Sequence, residues 1–555
     1  MTKLDKSAPV MRVRLRLSTA SLIALVPGAA LRIYPIHRPY LGLELQEMFP
    51  KNAIIALVHG DWRPFGLHQG SALLDLLRAL ISVWYAAGRL IGVYHDRLDV
   101  FAAFVRSPLP FVILGRVVVC SASIASLWLV GIAGASLFGE LSGTAAILSL
   151  GAIFIHVRES HHVWLDVPAA TAAFAAAFAA VRAVEDRSSR SLALAAALAG
   201  LAIAMKHSTF PIALPIVIAA VLAGDMEPVR VARRLAFVGV LASLTYAVLS
   251  PAVLIHARET IELLRAQSRI MFQVSGGMSL RVLVGAGIGW ATLLLALVGL
   301  IASARQAPRQ TAILASFPVA YTVPLILASL LYARYLAVLA PFVALFAGYG
   351  ATVAGRLLLR QWSAGGAMAI ALLVAADPAM RSAQYDRLLA RDDTRSLAGR
   401  WISRHVPFGT PLTLPNVAPY PNPILPPNAD QLRLRYPREA AALIVRGLGE
   451  PGETYPARYL GFFDNPTEDW RPGTGFVVLA RHPVVLRGMN PSPALVHRLH
   501  AAGARCVATF RAIREPLASD VLYDVLDADY LPLRGFGSVL RPGPNITIWQ
   551  VPGSG

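Results

Sequence analysis

Apolar runs long enough to cross a bilayer recur about twelve times in the first ~378 residues of this chain. No water-soluble core needs so many. They fall near 17–34, 71–94, 109–137, 143–157, 163–181, 191–208, 209–224, 234–254, 281–303, 310–332, 335–355 and 362–377. Composition agrees, with a mean hydropathy of +0.56 and 15% charged residues against about 25% in soluble domains. Several runs are rich in alanine, which suits close helix packing in lipid. The sequence therefore specifies an α-helical polytopic membrane protein.

Arginine orients it. Arg182, Arg187 and Arg190 share one connection, and Arg230, Arg233 and Arg234 a second. Arg305 and Arg309 share a third, and Arg356 and Arg360 a fourth. Two crossings separate each from the next, so all four fit the cytoplasmic side. Lys3, Lys6, Arg12, Arg14 and Arg16 precede the first run, and no small-residue cleavage site follows it. The run 17–34 reads as a first transmembrane helix that starts in the cytoplasm. Much of the net charge of +19 sits in these short connections, where it serves topology and anionic headgroups, not nucleic acid. One tension remains between 71 and 157. This stretch must cross an even number of times, yet it holds three apolar segments, so one of them, or 98–108, is a partial or extra crossing.

From about residue 379 the character changes. Proline and charge rise, and apolar runs shrink to strand length, as in Gly475–Ala480. An amphipathic stretch 494–502, Gly503 and Cys506–Phe510 read as helix, cap and strand, and 546–551 as a final strand. This predicts two domains: a membrane domain over 1–378 and a soluble, non-cytoplasmic α/β domain over 379–555. The two cysteines, Cys120 in an apolar run and Cys506 in the tail, are not expected to pair.

The other face collects ionisable residues at the ends of different apolar runs. They are Glu44 and Glu47 in the first loop, Arg158, Glu159, His161, His162 and Asp166, then Lys206 and His207, then His256, Arg258, Glu259, Arg265 and Arg269, and Arg334-Tyr335. Charge at the membrane is costly and therefore a functional candidate by default. A phosphate calls for Lys206 and Arg334, and a hydroxyl nucleophile calls for a carboxylate. The bland readings are a wetted helix face for Glu44 and Glu47, dipole stabilisation for Asp166, and snorkelling for Lys206 and Arg334. The one cofactor left open is a divalent metal, for which His161, His162 and Asp166 are the donors.

Gly115-Arg116, Leu137–Gly139, Ser160-His161 with Asp166 and Pro168, Gly200 with Lys206, and Arg334-Tyr335 with Pro341 stand in an order that resembles a known family. So do Trp401-Ile402, Pro407–Gly409 and Gly543-Pro544 with Ile546 in the tail. The family is the GT-C membrane glycosyltransferases of the dolichyl-phosphate-mannose protein mannosyltransferase and aminoarabinose transferase superfamily. The resemblance implies the GT-C fold, about 11–13 transmembrane helices, and a polyprenyl-phosphate sugar as donor. It implies a glycan, lipid or protein acceptor and transfer at the outer face of the inner (plasma) membrane. Asp166, Lys206 and Arg334 match family positions. The chain departs from the family where an acidic pair is expected after the first helix, because His37-Arg38-Pro39-Tyr40 carries no acid. Glu44 or His37 is then the expected base, with Asp166 beside it. Lys206, Arg334, Tyr335, His161, Arg265 and Arg269 are the expected substrate-binding residues. The alternatives are a degenerate member that only binds polyprenyl lipid, and a lipid or solute transporter.

Overall fold

The computed structural model describes residues 16–38, 48–60, 69–273, 278–358, 362–415, 429, 432–433, 436–449, 455–460, 473–482, 493–516, 518–524 and 530–552. Glu44 and Glu47 lie outside them. The chain forms two compact units that alternate along the sequence. One comprises Met1–Tyr34, Trp62–Leu76 and Arg116–Ala383, and the other Pro35–Asp61, Leu77–Gly115 and Gln384–Gly555.

In chain order the helices are α1 (Thr19–Ile33), α2 (Met48–His59), α3 (Ala72–Leu90), α4 (Arg97–Arg106), α5 (Leu109–Phe138), α6 (Glu140–Ala152), α7 (Phe154–Ser160), α8 (Asp166–Glu185) and α9 (Ser189–Met205). There follow α10 (Ala213–Leu222), α11 (Pro228–Leu249), α12 (Pro251–Ile255), α13 (Ala257–Gln273), α14 (Leu280–Gly287), α15 (Trp290–Gln306), α16 (Pro308–Leu327), α17 (Ala340–Leu358), α18 (Ser363–Leu389) and α19 (Thr394–His405).

The first unit is a helical bundle. Small residues let its helices touch backbone to backbone. A Cβ at Gly299 on α15 would collide with the Phe346 carbonyl of α17, and one at Gly350 with the Leu295 carbonyl of α15. Helices α8 and α9 pack together, as do α9 and α11, and α6 and α17. Phe342 meets both Phe174 and Phe317 at 5.2 Å between ring centres, closing an aromatic core.

Among the described residues six helical runs are long and apolar enough to cross a membrane: α5, α8, α11, α16, α17 and the run from Ser363. The pairs α6–α7, bent by 63°, and α14–α15, bent by 94°, each pass as one broken span. Helices α1 and α9 and the stretch His207–Leu222 are apolar but shorter. The chain is thus the polytopic helical protein expected, with two kinds of helix in 71–157. Helix α3 carries Asp75, Arg78 and Arg89 and is not among the spans. Helix α4 is a short helix whose start is closed by a reciprocal Asp96–Asp99 capping box. By length and composition, α5 and the α6–α7 pair are the candidate spans of this stretch.

The second unit is built around a five-stranded sheet of order β2-β1-β3-β5-β4. Its strands are β1 (Leu412–Pro415), β2 (Ala457–Leu460), β3 (Gly475–Arg481), β4 (Arg505–Phe510) and β5 (Asn545–Val551). β1 runs parallel to β2 and β3, while β5 runs antiparallel to β3 and β4. Alternation along β3 fills two cores. Val478 and Ala480 pack with Ala398, Ile402 and Val406 around α19, and Val477 and Leu479 with Leu495 and Leu499 of the helix Pro493–Ala501. The expected tail is therefore present, a small α/β layer structure. Beside it, residues 436–446 pack on α2 and α4. Tyr436 meets Phe101 edge-on at 4.9 Å, Arg446 Nε donates to Asp99 at 3.0 Å, Arg446 also pairs with Asp96, and Glu439 pairs with His59. Cys120 and Cys506 are both free.

Candidate active site

The turn after α7 and the first residue of α8 are wholly buried. A carboxylate at the start of a helix is favoured by the partial positive charge there, and Asp166 occupies that place with no exposure. Helix α9 ends at Met205, and the chain turns extended at Lys206 (φ −153°, ψ 117°) before a 3-10 turn, His207–Ile212. A close neighbour fixes this end. Gly70, at φ +77°, lies so near the Ala204 carbonyl that a Cβ would collide with it. Ser71 binds Ser250 through its backbone N–H at 2.8 Å and its hydroxyl at 2.9 Å. From that turn Lys206 Nζ crosses from α9 to α8 and pairs with Asp166 Oδ1. Asp166 Oδ2, also buried, has no hydrogen-bond partner among the described residues.

Aromatic rings line the rest. Lys206 Nζ stands 4.7 Å from the centre of the Tyr335 ring. Arg334, in the 3-10 turn Ala333–Val338, lies over Tyr332 at 4.5 Å, Trp164 at 5.1 Å and Tyr335 at 5.7 Å. Tyr321 donates to the Tyr335 carbonyl at 3.3 Å. Arg158 and Glu159 form a second, fully buried pair, and Glu159 and Arg334 both act on Lys206 through their charge. Among the described residues, the cations Arg158, Lys206 and Arg334 stand with the carboxylates Glu159 and Asp166. Such a site attracts an anion and offers it charge-assisted hydrogen bonds in a partly dry setting.

Of the residues singled out from sequence, the structure gathers Asp166, Lys206, Arg334 and Tyr335. His161 is buried in the turn that precedes Asp166. Arg265 and Arg269 are exposed on α13, whose amphipathic length packs on α12 and meets residues 329–330 through its last turn. His37 is exposed in the turn after α1 and belongs to the second unit. Among the described residues no three His, Cys, Asp or Glu side chains gather as ligands, and Asp166 is already engaged by Lys206. Sequence reasoning passed over Trp164, Tyr332 and Tyr321, because a ring in an apolar helix looks like core until a cation is seen beside it. It also passed over Arg32, although a charge within an apolar run is itself a signal.

Residues 101–255, which contain Asp166 and Lys206, match the family model for dolichyl-phosphate-mannose-protein mannosyltransferase. No curated protein is similar enough in sequence to count as a relative. The fold is similar to that of ArnT from Cupriavidus metallidurans bound to undecaprenyl phosphate, at a TM-score of 0.51 and 14% identity. That similarity covers 96% of this chain and 97% of the other. ArnT in the apo state gives a TM-score of 0.50 at the same identity and coverage. The chain is thus similar in fold to ArnT over nearly its whole length, and residues 101–255 match the mannosyltransferase family model.

Proposed function

We propose that the protein is a glycosyltransferase that moves one sugar from a polyprenyl-phosphate carrier to an acceptor hydroxyl. The observation that carries this reading is the buried Lys206–Asp166 pair with Arg334 stacked among three rings, in a bundle of GT-C fold. In the reaction the acceptor oxygen bonds to the anomeric carbon while the bond from that carbon to the phosphate oxygen breaks. The electron pair goes to the departing lipid phosphate, and the acceptor proton to a base. Lys206 and Arg334 bind the phosphate, Tyr335 and His161 shape its surroundings, and Arg265 and Arg269 meet headgroup charge from the exposed helix. Glu44 or His37 of the first loop serves as base, with Asp166 orienting Lys206. That ArnT was captured with undecaprenyl phosphate supports a lipid of this class here.

In this reading residues 1–378 hold the membrane-embedded part and 379–555 a periplasmic domain on an inner (plasma) membrane. Packing of 436–446 on α2 and α4 supports a shared side for the tail and the first loop. If the three shorter apolar helices also cross, the passes number eleven, and the ends of the chain lie on opposite sides. A C-terminal reporter active only in the cytoplasm should stay silent; a signal would reverse the topology.

The decisive experiment incubates the purified protein, in lipid nanodiscs, with a radiolabelled polyprenyl-phosphate sugar and hydroxyl acceptors. Turnover supports the transferase. Binding without turnover supports a degenerate lipid-binding member, a reading favoured by the acid missing from His37–Tyr40. Neither binding nor turnover rejects both.

A further inference from the structure

Arg32 has no exposure and lies in the last turn of α1. A guanidinium offers five N–H donors and accepts nothing, and each of the five has a partner here. Nε donates to Ser123 Oγ at 2.6 Å. Nη1 donates to the Gly28 carbonyl at 2.7 Å and the Gly151 carbonyl at 3.2 Å. Nη2 donates to the Leu150 carbonyl at 3.0 Å and to His156 Nδ1 at 2.9 Å. Because Nδ1 accepts, His156 is the neutral tautomer with its proton on Nε2.

Three of these partners flank one break. In a continuous helix the Leu150 and Gly151 carbonyls would accept from residues 154 and 155. Instead Ile153 leaves the helical conformation (φ −52°, ψ 109°), and α7 restarts with His156 and Val157 both donating to the Ile153 carbonyl. The result is the 63° bend between α6 and α7. No proline lies at the break, so an inserted side chain is the cause that fits, and Arg32 is that side chain. Its charge rests on carbonyl dipoles at the negative end of α6.

We propose that Arg32 is a positioning residue, whose guanidinium holds the α6–α7 break and so sets where Glu159, His161 and Asp166 stand. The functional part of this inference rests on the reading of that segment as the donor-phosphate site. Lysine at position 32 keeps the charge but cannot span five acceptors in one plane. The test is hydrogen–deuterium exchange of the full chain in nanodiscs, together with binding of undecaprenyl phosphate. In Arg32→Lys, amides of 150–160 should exchange about tenfold faster, the scale of one lost charge-assisted hydrogen bond. Helix α11 should be unchanged, and lipid binding should weaken. Faster exchange with unaltered binding would support the clamp and count against the donor-phosphate reading. Unchanged exchange over 150–160 would overturn the clamp. Should Arg32→Lys unfold globally, Ser123→Ala decides instead: it removes the Nε partner, together with the 3.4 Å contact of Ser123 Oγ with His156 Nδ1, and the absence of a local rise there overturns the proposal.

Discussion

Arg32 and Lys206 are both cations sealed within the helical unit, yet they are stabilised in opposite ways. Arg32 gives all five of its donors to neutral acceptors. Lys206 faces a carboxylate with one oxygen left over, and beside it stands a second cation held by rings. A saturated cation has nothing further to offer a ligand, so its role is to fix backbone. An unsaturated pair in the same low dielectric has spare binding capacity and a stake in any anion that arrives. Local completeness, more than burial, separates a structural charge from a functional one here.

The comparison breaks most visibly at Asp166. Asp166→Asn leaves Lys206 buried without its counter-charge, which should destabilise the helical unit by about 3–5 kcal/mol. The double variant Asp166→Leu with Lys206→Met should recover most of that, measured as thermal unfolding in nanodiscs. A double variant no more stable than the single one would mean that the pair is not a coupled unit. Next comes ligand binding. Lys206→Met should weaken undecaprenyl phosphate binding about tenfold or more, at roughly 1.5–3 kcal/mol per charge-assisted bond. Unaltered affinity in a monodisperse sample would leave Lys206 as a purely structural partner of Asp166.

A third prediction uses a cationic group that the second unit keeps neutral. His482 is buried between Tyr523 and Tyr530, and burial first, then the nearby Arg395 charge, hold it down to about 3. The unfolded chain takes up a proton near pH 6.5, while the folded chain does so only near 3, so stability is full above 6.5 and falls as pH drops through that window. The slope should reach about 1.4 kcal/mol per pH unit at most, and His482→Phe should flatten it. An equal slope in both proteins would place the acid sensitivity elsewhere. The smallest effect belongs to the half-exposed pair of Arg446 and Asp96. Asp96→Asn, which keeps a capping side chain at the start of α4 and removes only the charge, should cost only about 0.2–1 kcal/mol and become undetectable in high salt. Asp99 marks that cluster's own acid limit. Burial opposes its ionisation, but hydrogen bonds from the His95 N–H, Arg446 and the Asp96 N–H prevail and hold it near 2. Its contribution is present above about pH 4 and lost between there and pH 2.

Much of this was legible in sequence because membrane helices announce themselves by length, and because Lys206, Asp166 and Arg334 are charges where charge is costly. The strands of the tail's antiparallel half were legible too, from the short apolar runs at 475–480 and 546–551 and the helix, cap and strand ending at Phe510. β1 and β2 were not, since each has only four residues and takes its stability from a neighbour distant in sequence. Helix α3 is why the sequence left one crossing in 71–157 undecided: its composition is apolar, yet it carries Asp75, Arg78 and Arg89. The pairing of Lys206 with Asp166 was beyond reach, because it depends on the backbone turning extended at residue 206 and on α8 packing against α9.

The joining of α4 to residues 436–446 has a consequence for how the chain is made. Asp99 precedes its partner Arg446 by 347 positions. At a synthesis rate of about 5–20 residues per second, α4 is complete roughly 20–70 s before that partner leaves the ribosome. During that interval the inner faces of Phe101 and Asp99 await the end of the chain, while the larger part of the helical unit, Arg116–Ala383, is made in between. Chains halted before residue 436 should therefore show α4 open to protease, and full-length chains should show it closed.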